Sequence, residues 1–392
     1  MLRKSSQNDI LPVLDPSMTI GIEAQRVFRD RKHGIEIVAL ELIHALQRLD
    51  KVNQYHIYVK PDTQKQSLSP TENFTIIPVK GAPYPIWEQY HLPRKIKDRG
   101  LGLLHSTGNT APLKISIPKI VTLHDVIYME DNGYRGSTYQ DFGNLYRRWV
   151  VPRIIDSCAA VITVSQWEKS RIINQLGIPE EKMHLIPNAV NVRFNNKYEL
   201  HELESVRELY HLPSAFILCL GNAASRKNTV ASIQAYDIYT QKASDPVPMV
   251  ILDYNRAQLA FLLKTLGKED LMDRIHTPGY IPTQRMPFIY NLASLFLFTS
   301  LRESFGLPIL ESMACGTPVV TSDLSAIPET GGSAAWYGNP NDPESVAYGM
   351  LSLLQNSNLY EMFREKGLKR AENFSWDNTA TKVLELYKKT IG

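Results

Sequence analysis

The sequence predicts an α/β protein built from two doubly wound parallel-sheet domains that face a central cleft. Three observations carry this expectation. Apolar strand-like runs alternate with helix-like runs along most of the chain. The alternation halts once, in a polar, Asn-rich stretch bounded by prolines at 187–213, and then restarts. The length, 392 residues, suits two cores of ordinary size without a metal or disulfide staple.

The elements follow in order. Thr19–Ala24 reads as a strand, and a loop with His33 and Gly34 leads into a helix. The apolar positions of that helix, Ile37, Val38, Leu40, Ile43 and Leu46, recur at helical spacing. HIYV (56–59), FTIIPV (74–79), LGLLHS (101–106), KIVTLHD (119–125) and AAVITVS (159–165) are the further strands expected, the last closing the series. After the polar break come the strands FILCLGN (216–222) and PMVILD (248–253), with a helix over TVASIQAYDIYTQ between them. RIHTPGYI and ASLFLFTS are the next strands, again separated by a helix. PILESMAC is a short helix, PVVTSD a strand, and the tail from Glu344 is helical with an interruption at Asn373–Trp376. The division expected is a loose extension over 1–17, a first domain over 18–190, a linker over 191–213, a second domain over 214–375 and a last helix over 376–392. Several strands end in a polar residue, His105, His124 and Ser165, at the edge where open α/β sheets bind ligands.

Composition narrows the function. Apolar residues at 43% and charged residues at 21% describe a globular chain and exclude a disordered or collagenous one. A net charge of +3 gives no support to nucleic-acid binding. The charge is uneven: residues 1–200 carry +6 and residues 201–392 carry −3. Cys158, Cys219 and Cys315 have no metal spacing and read as buried free thiols, as in a reduced, cytoplasmic protein. No apolar run reaches the ~18–20 residues that span a bilayer, and the N-terminal stretch lacks the apolar core of a signal peptide.

The chemistry concentrates in TSLRESFGLPILESMACGTPVVTSD (299–323). Glu303 sits in a loop and Glu311 on the helix that follows, while Gly306 and Leu307 place backbone amides at the helix start, an arrangement suited to an anion. Carboxylates suit sugar hydroxyls, so a diphosphate falls to the amides and to Arg226 and Lys227 in LGNAASRKNT (220–229). Read alone, such a basic pair is ordinarily solvated surface, and a lone strand-end histidine such as His124 is ordinarily structural. No DxD-type pair for Mg²⁺ and no His/Cys set for zinc is visible, so no metal or other cofactor is expected.

The Glu, seven residues, Glu spacing with SFGLPILE inside it and MACGTPVV after it resembles retaining glycosyltransferases of family 4 (glycosyl transferases group 1). TLHDVIY (122–128), ITVSQWEKSRI (162–172), HLIPNAVN (184–191) and GYIPTQRMPFIYNLASLFLFTS (279–300) are similar to further motifs of that family, from about Thr19 to Trp376. The resemblance implies the GT-B fold, two Rossmann-like domains, with the acceptor on the first, the nucleotide-diphosphate sugar on the second, and the last helix returning to the first. It implies donor contacts from Asn222, Arg226, Lys227, Tyr280, Ile281, Glu303, Phe305, Gly306, Leu307 and Glu311. Glu303 and His124 would face the transferred hexose. Asn222 departs from the family, which often has a cation there. At the loop where the family has Gly-Ile-Gly, Gly34 matches but Glu36 replaces the second glycine; its carboxylate either meets an acceptor hydroxyl or faces solvent.

The activity implied is retaining, metal-independent transfer of a hexose, from GDP-mannose or a UDP-hexose, to a saccharide or lipid-linked acceptor in cell-surface polysaccharide biosynthesis. A non-catalytic nucleotide-sugar-binding subunit and a sugar-nucleotide epimerase are the alternatives. YPIWEQYHLPRKIKDRG (84–100), with Arg147 and Arg148 downstream, reads either as an amphipathic helix with a solvated basic face or as a peripheral contact with an anionic membrane, on its cytoplasmic side.

Overall fold

The computed structural model describes residues 17–30, 32, 34–81, 83–130, 138–221 and 224–391. The extension expected over 1–17 lies, but for Ser17, outside the described residues.

Two all-parallel sheets organise the chain. The first holds β1 (Thr19–Glu23), β2 (Gln54–Val59), β3 (Phe74–Pro78), β4 (Leu103–Ser106), β5 (Lys119–Thr122), β6 (Ala160–Thr163) and β7 (Met183–Leu185) in the order β3-β2-β1-β4-β5-β6-β7. The second holds β8 (Ile217–Leu220), β9 (Met249–Leu252), β10 (Ile275–His276), β11 (Leu295–Phe298), β12 (Val319–Ser322) and β13 (Trp336–Gly338) in the order β10-β9-β8-β11-β12-β13. Strand order reverses between β1 and β4 in one sheet and between β8 and β11 in the other. At such switch points the crossovers leave in opposite directions and open a crevice beyond the strand ends. AVIT, MVIL and LFLF are buried at every position. Helices on both faces leave no polar side for alternation, so these strands read as unbroken apolar runs.

The structure corrects the expected element list. β7 extends the first series past residue 165, and β13 adds an edge to the second; three-residue strands are too short to show periodicity. RIHTPGYI contributes only Ile275–His276, because Pro278 lacks an amide hydrogen and Gly279 turns to φ +84°. The stretch read as a linker carries the helix Leu200–Leu209, whose start is held by the Glu202 carboxylate accepting from the Glu199 amide. Helical turns in the basic segment run from Tyr84 to Ile96, with a π-helical stretch at Trp87–His91, and leave Lys97 and Arg99 beyond their end.

The last helix, Trp376–Ile391, joins the core of the first sheet through Trp376, Ala380, Val383, Leu386 and Tyr387. Its Tyr387 hydroxyl is 2.6 Å from Nδ1 of buried His105, whose Nε2 is 2.8 Å from Thr122 Oγ1. His105 therefore ties this helix to the sheet and does not face the cleft; burial pushes its pKa down to about 3.

Candidate active site

The second sheet supplies one half of the site. After β8, Gly221 runs so close to β9 that a Cβ would stand 2.6 Å from an Ile251 methyl and 2.8 Å from the Leu252 carbonyl oxygen. Only glycine fits there, and the 3₁₀ segment Ser225–Lys227 follows in the described chain. The Arg226 carbonyl accepts from the Leu301 amide at 2.7 Å, with Ser300 Oγ 3.0 Å away, fastening this turn to the loop after β11. The Lys227 ammonium consequently meets Glu303, Nζ to Oε1, at 2.5 Å. Ser300 Oγ donates to the same oxygen at 2.6 Å, and Arg226 stands 3.9 Å away. Burial pushes the Glu303 carboxyl up, but the two cations and their hydrogen bonds outweigh it, so Glu303 sits below the usual carboxylate range.

Gly306, at φ +103°, opens the helix Leu307–Ala314. The first amides of a helix have no partner inside it, so this end offers N–H groups beside Lys227 and Glu303. Glu311, within that helix, takes a 3.3 Å hydrogen bond from the Tyr290 hydroxyl. Burial pushes its carboxyl up to about 7, against the pull of Tyr290 and Arg193. Phe305 and Ile281 are core side chains, so they reach a ligand only through their backbone, whereas the Tyr280 ring is half exposed. Asn222 lies outside the described residues.

The first sheet supplies the other half. A cavity of about 320 Å³ is lined by Glu23, Arg26, Gly34, Glu36, Tyr84, Asp125 and Arg147, with Arg226 reaching in from the second sheet. Gly34 and Glu36 begin the helix Gly34–Leu49 and are not part of an open loop. The Glu36 carboxylate does not face solvent: it is 5% exposed and lies 3.3 Å from Arg29 and 3.9 Å from Arg26. His124 stands behind the cavity, 5% exposed, with Nε2 2.9 Å from the Thr107 carbonyl oxygen. A carbonyl only accepts, so Nε2 carries the hydrogen and Nδ1 keeps its lone pair. Burial lowers the His124 pKa, which keeps the ring neutral.

The halves are joined through the loop that carries Glu303. Arg302, buried between the sheets, pairs with Glu168 at 2.8 Å and Glu130 at 3.0 Å and lies 4.2 Å over the Trp167 ring. Ser165 Oγ donates to the Ser304 carbonyl, and Glu329 accepts from the Gln166 and Trp167 amides. Sequence reasoning missed Glu23, Arg26 and Arg302; Tyr84 lay in the singled-out segment 84–100, and Arg147 was placed on a basic face although the structure turns it into the cavity. Glu23 had a signal, since it is the polar end of β1, like the strand ends that were singled out. Arg302 had none, because its partners lie 134 and 172 positions away. Among the described residues, no three His, Cys, Asp or Glu side chains gather as a metal-binding set, and no helix is long and apolar enough to cross a membrane.

Comparison with known proteins agrees with this geometry. Residues 206–370 match the family described as Glycosyl transferases group 1, and residues 33–194 match Glycosyltransferase Family 4. The chain is 29% identical over 234 residues to O-antigen chain mannosyltransferase B of Escherichia coli, a match covering 60% of this chain and 61% of that protein. It is 29% identical over 235 residues to the serotype-specific mannosyltransferase WbdA of Escherichia coli, covering 59% of this chain and 29% of that protein. The chain thus spans less than two thirds of the length of either curated relative. The crystal structure of Anabaena HepE with UDP and glucose superposes with a TM-score of 0.72 at 15% identity, covering 95% of this chain and all of that one. The fold is GT-B, and the chain belongs to the group 1 glycosyltransferases of family 4.

Proposed function

We propose that this group 1 glycosyltransferase moves a hexose from a nucleotide-diphosphate sugar to a hydroxyl of a saccharide or lipid-linked acceptor, with retention of anomeric configuration and without a metal. The observation that carries the reading is the Lys227 ammonium on Glu303 beside the open helix start at Gly306. Without ligand, the cation and the carboxylate neutralise each other. An arriving diphosphate draws Lys227 and Arg226 to itself and frees Glu303 for the hydroxyls of the hexose. The Gly306 and Leu307 amides complete the cradle and stabilise the charge that develops on the leaving diphosphate. Glu311 holds the ribose hydroxyls, and Tyr280 and Ile281 border the base.

In the step itself, the bond from the anomeric carbon to the phosphate oxygen breaks and the bond to the acceptor oxygen forms on the same face. The acceptor proton passes to the departing phosphate oxygen. Neutral His124 orients the hexose through the Nδ1 lone pair. The positive charge that a metal would bring comes from Lys227 and Arg226.

The relatives' names favour mannose as the sugar and a surface polysaccharide as the product. A UDP-hexose is the other donor class, in keeping with the UDP and glucose of the HepE structure. The acceptor side rests on an anionic membrane, at its cytoplasmic face, through exposed Phe142, Leu145 and Trp149 and the basic residues around them. Thermal-shift measurement with GDP-, UDP- and dTDP-sugars tests the donor site. One nucleotide class stabilises the chain, by about 2.7 kcal/mol at a hundred times its Kd; no response to any of the three sinks the reading.

A further inference from the structure

Two carboxyl groups meet at the switch point of the first sheet, and the structure treats them unequally. Glu88 is fully buried and saturated with donors. Tyr84 Oη at 2.6 Å and Thr110 Oγ1 at 2.5 Å give hydrogen bonds to its Oε1, while Gln89 Nε2 at 2.9 Å and the Tyr146 hydroxyl serve Oε2. Burial pushes the Glu88 carboxyl up, and the four donors pull against it without cancelling it. Glu23 is 4% exposed, yet its carboxyl receives a single hydrogen bond, from the Gln25 amide to Oε1 at 2.9 Å. Its second oxygen has no partner in the protein, and the side chain lines the cavity that Arg226 enters from the other sheet.

A carboxyl oxygen that no protein group engages and that lines a cavity is open to hydroxyl donors entering it. The position also favours a ligand, since Glu23 ends β1 opposite Ser106 of β4, at the crevice beyond the strand ends. The groups around it are of mixed sign: Arg26, Arg147 and Arg226 against Glu36, Asp125 and Glu88. Such a balance selects neither a polyanion nor a cation and suits an uncharged body rich in hydroxyls.

We propose that Glu23 is an acceptor-binding residue, whose free carboxyl oxygen takes up the hydroxyl groups of a neutral sugar unit entering this cavity. The assignment rests on the glycosyltransferase reading above and names the residue that selects the acceptor. Burial, and after it the neighbouring Glu88 carboxyl, push the Glu23 carboxyl up to about 7, while the Gln25 amide and Arg26 pull it down. The carboxylate therefore forms, and accepts hydroxyl hydrogens, as the pH rises through neutrality.

The test is calorimetric titration of the full chain with methyl α-glycosides of mannose, glucose, galactose and N-acetylglucosamine, at pH 6 and pH 8. Wild type, Glu23→Gln and Glu23→Ala are compared, with melting curves confirming the fold. At least one glycoside binds wild type several-fold more tightly at pH 8 than at pH 6. Glu23→Gln loses that pH dependence and binds roughly tenfold more weakly at pH 8, while nucleotide affinity is unchanged in both variants. Saccharide binding by Glu23→Gln with the wild-type affinity and pH profile overturns the proposal, and so does the absence of saturable binding to wild type. Failure of the donor reading shows separately, as loss of the nucleotide response while the glycoside response to Glu23 persists.

Discussion

Glu303 and Glu311 share a helix-loop motif and one residue type, yet their surroundings set them apart. Lys227 and Arg226 keep Glu303 ionised, whereas burial holds the Glu311 proton up to about 7. An unfolded chain releases that proton near the ordinary carboxyl value, so it binds fewer protons than the folded chain between about pH 4.5 and 7. Stability therefore falls as pH rises across this window, and Glu311 is a cost to the fold above it. Glu311→Gln removes the cost. It should be more stable than wild type at pH 8, by on the order of 1–3 kcal/mol, no different at pH 4, and impaired in nucleotide binding at both. Urea unfolding at the two pH values checks this, and equal gains at both would contradict it. These residues were legible because their spacing is local. Glu23 and Arg302 were not, because what makes each of them matter is a partner or a cavity assembled from distant positions.

At the level of elements, the long buried strands were legible as apolar runs and the helix Gly34–Leu49 as a periodic one. The strands β7, β10 and β13 were not, since two or three residues carry no period. The helix Leu200–Leu209 was hidden because its start uses Glu199, not one of the usual capping residues. The helix Thr138–Ile155 adds a finding of its own. Phe142, Leu145 and Trp149 fall on one face, at i, i+3 and i+7, and all are about half exposed or more, with Arg153 beside Trp149. Basic residues next to exposed aromatics suit a lipid headgroup layer. Co-sedimentation with phosphatidylglycerol vesicles should retain wild type and lose most of the Leu145→Ser/Trp149→Ser double variant, with little binding to neutral vesicles. Equal binding to both vesicle types would remove the membrane reading.

The two halves are joined in several places: the last helix returns to the first sheet's core, the Val190 amide donates to the Phe374 carbonyl at 3.2 Å, and Arg302, Ser304 and Glu329 reach across beside the loop of Glu303. Among them, the Arg302 guanidinium between Glu130 and Glu168 is a buried ionic contact. Removing one member of such a network leaves charge buried and unpaired, at a cost of about 3–5 kcal/mol. Arg302→Met should lower stability by that order in chemical denaturation and reduce kcat more than the donor KM, with Arg302→Lys recovering part of both. A variant with wild-type stability would show that the network does not couple the halves. The charge split seen in the sequence now has a structural setting. The basic first half carries Arg26 and Arg147 at the cavity and the basic face outside it, while Arg226 and Lys227 of the acidic half gather on Glu303.

The central claim is that the Lys227, Glu303 and Gly306 constellation drives hexose transfer from a nucleotide-diphosphate sugar. NMR of the reaction with the stabilising donor, in the presence of EDTA, tests it most directly by following product and anomeric configuration together. The account predicts a product with the donor's anomeric configuration, turnover indifferent to EDTA, and a loss of about a hundredfold or more in a folded Lys227→Ala variant, as expected when a group that stabilises developing charge is removed. An inverted product, activity that returns only with Mg²⁺, or full turnover by Lys227→Ala would contradict it.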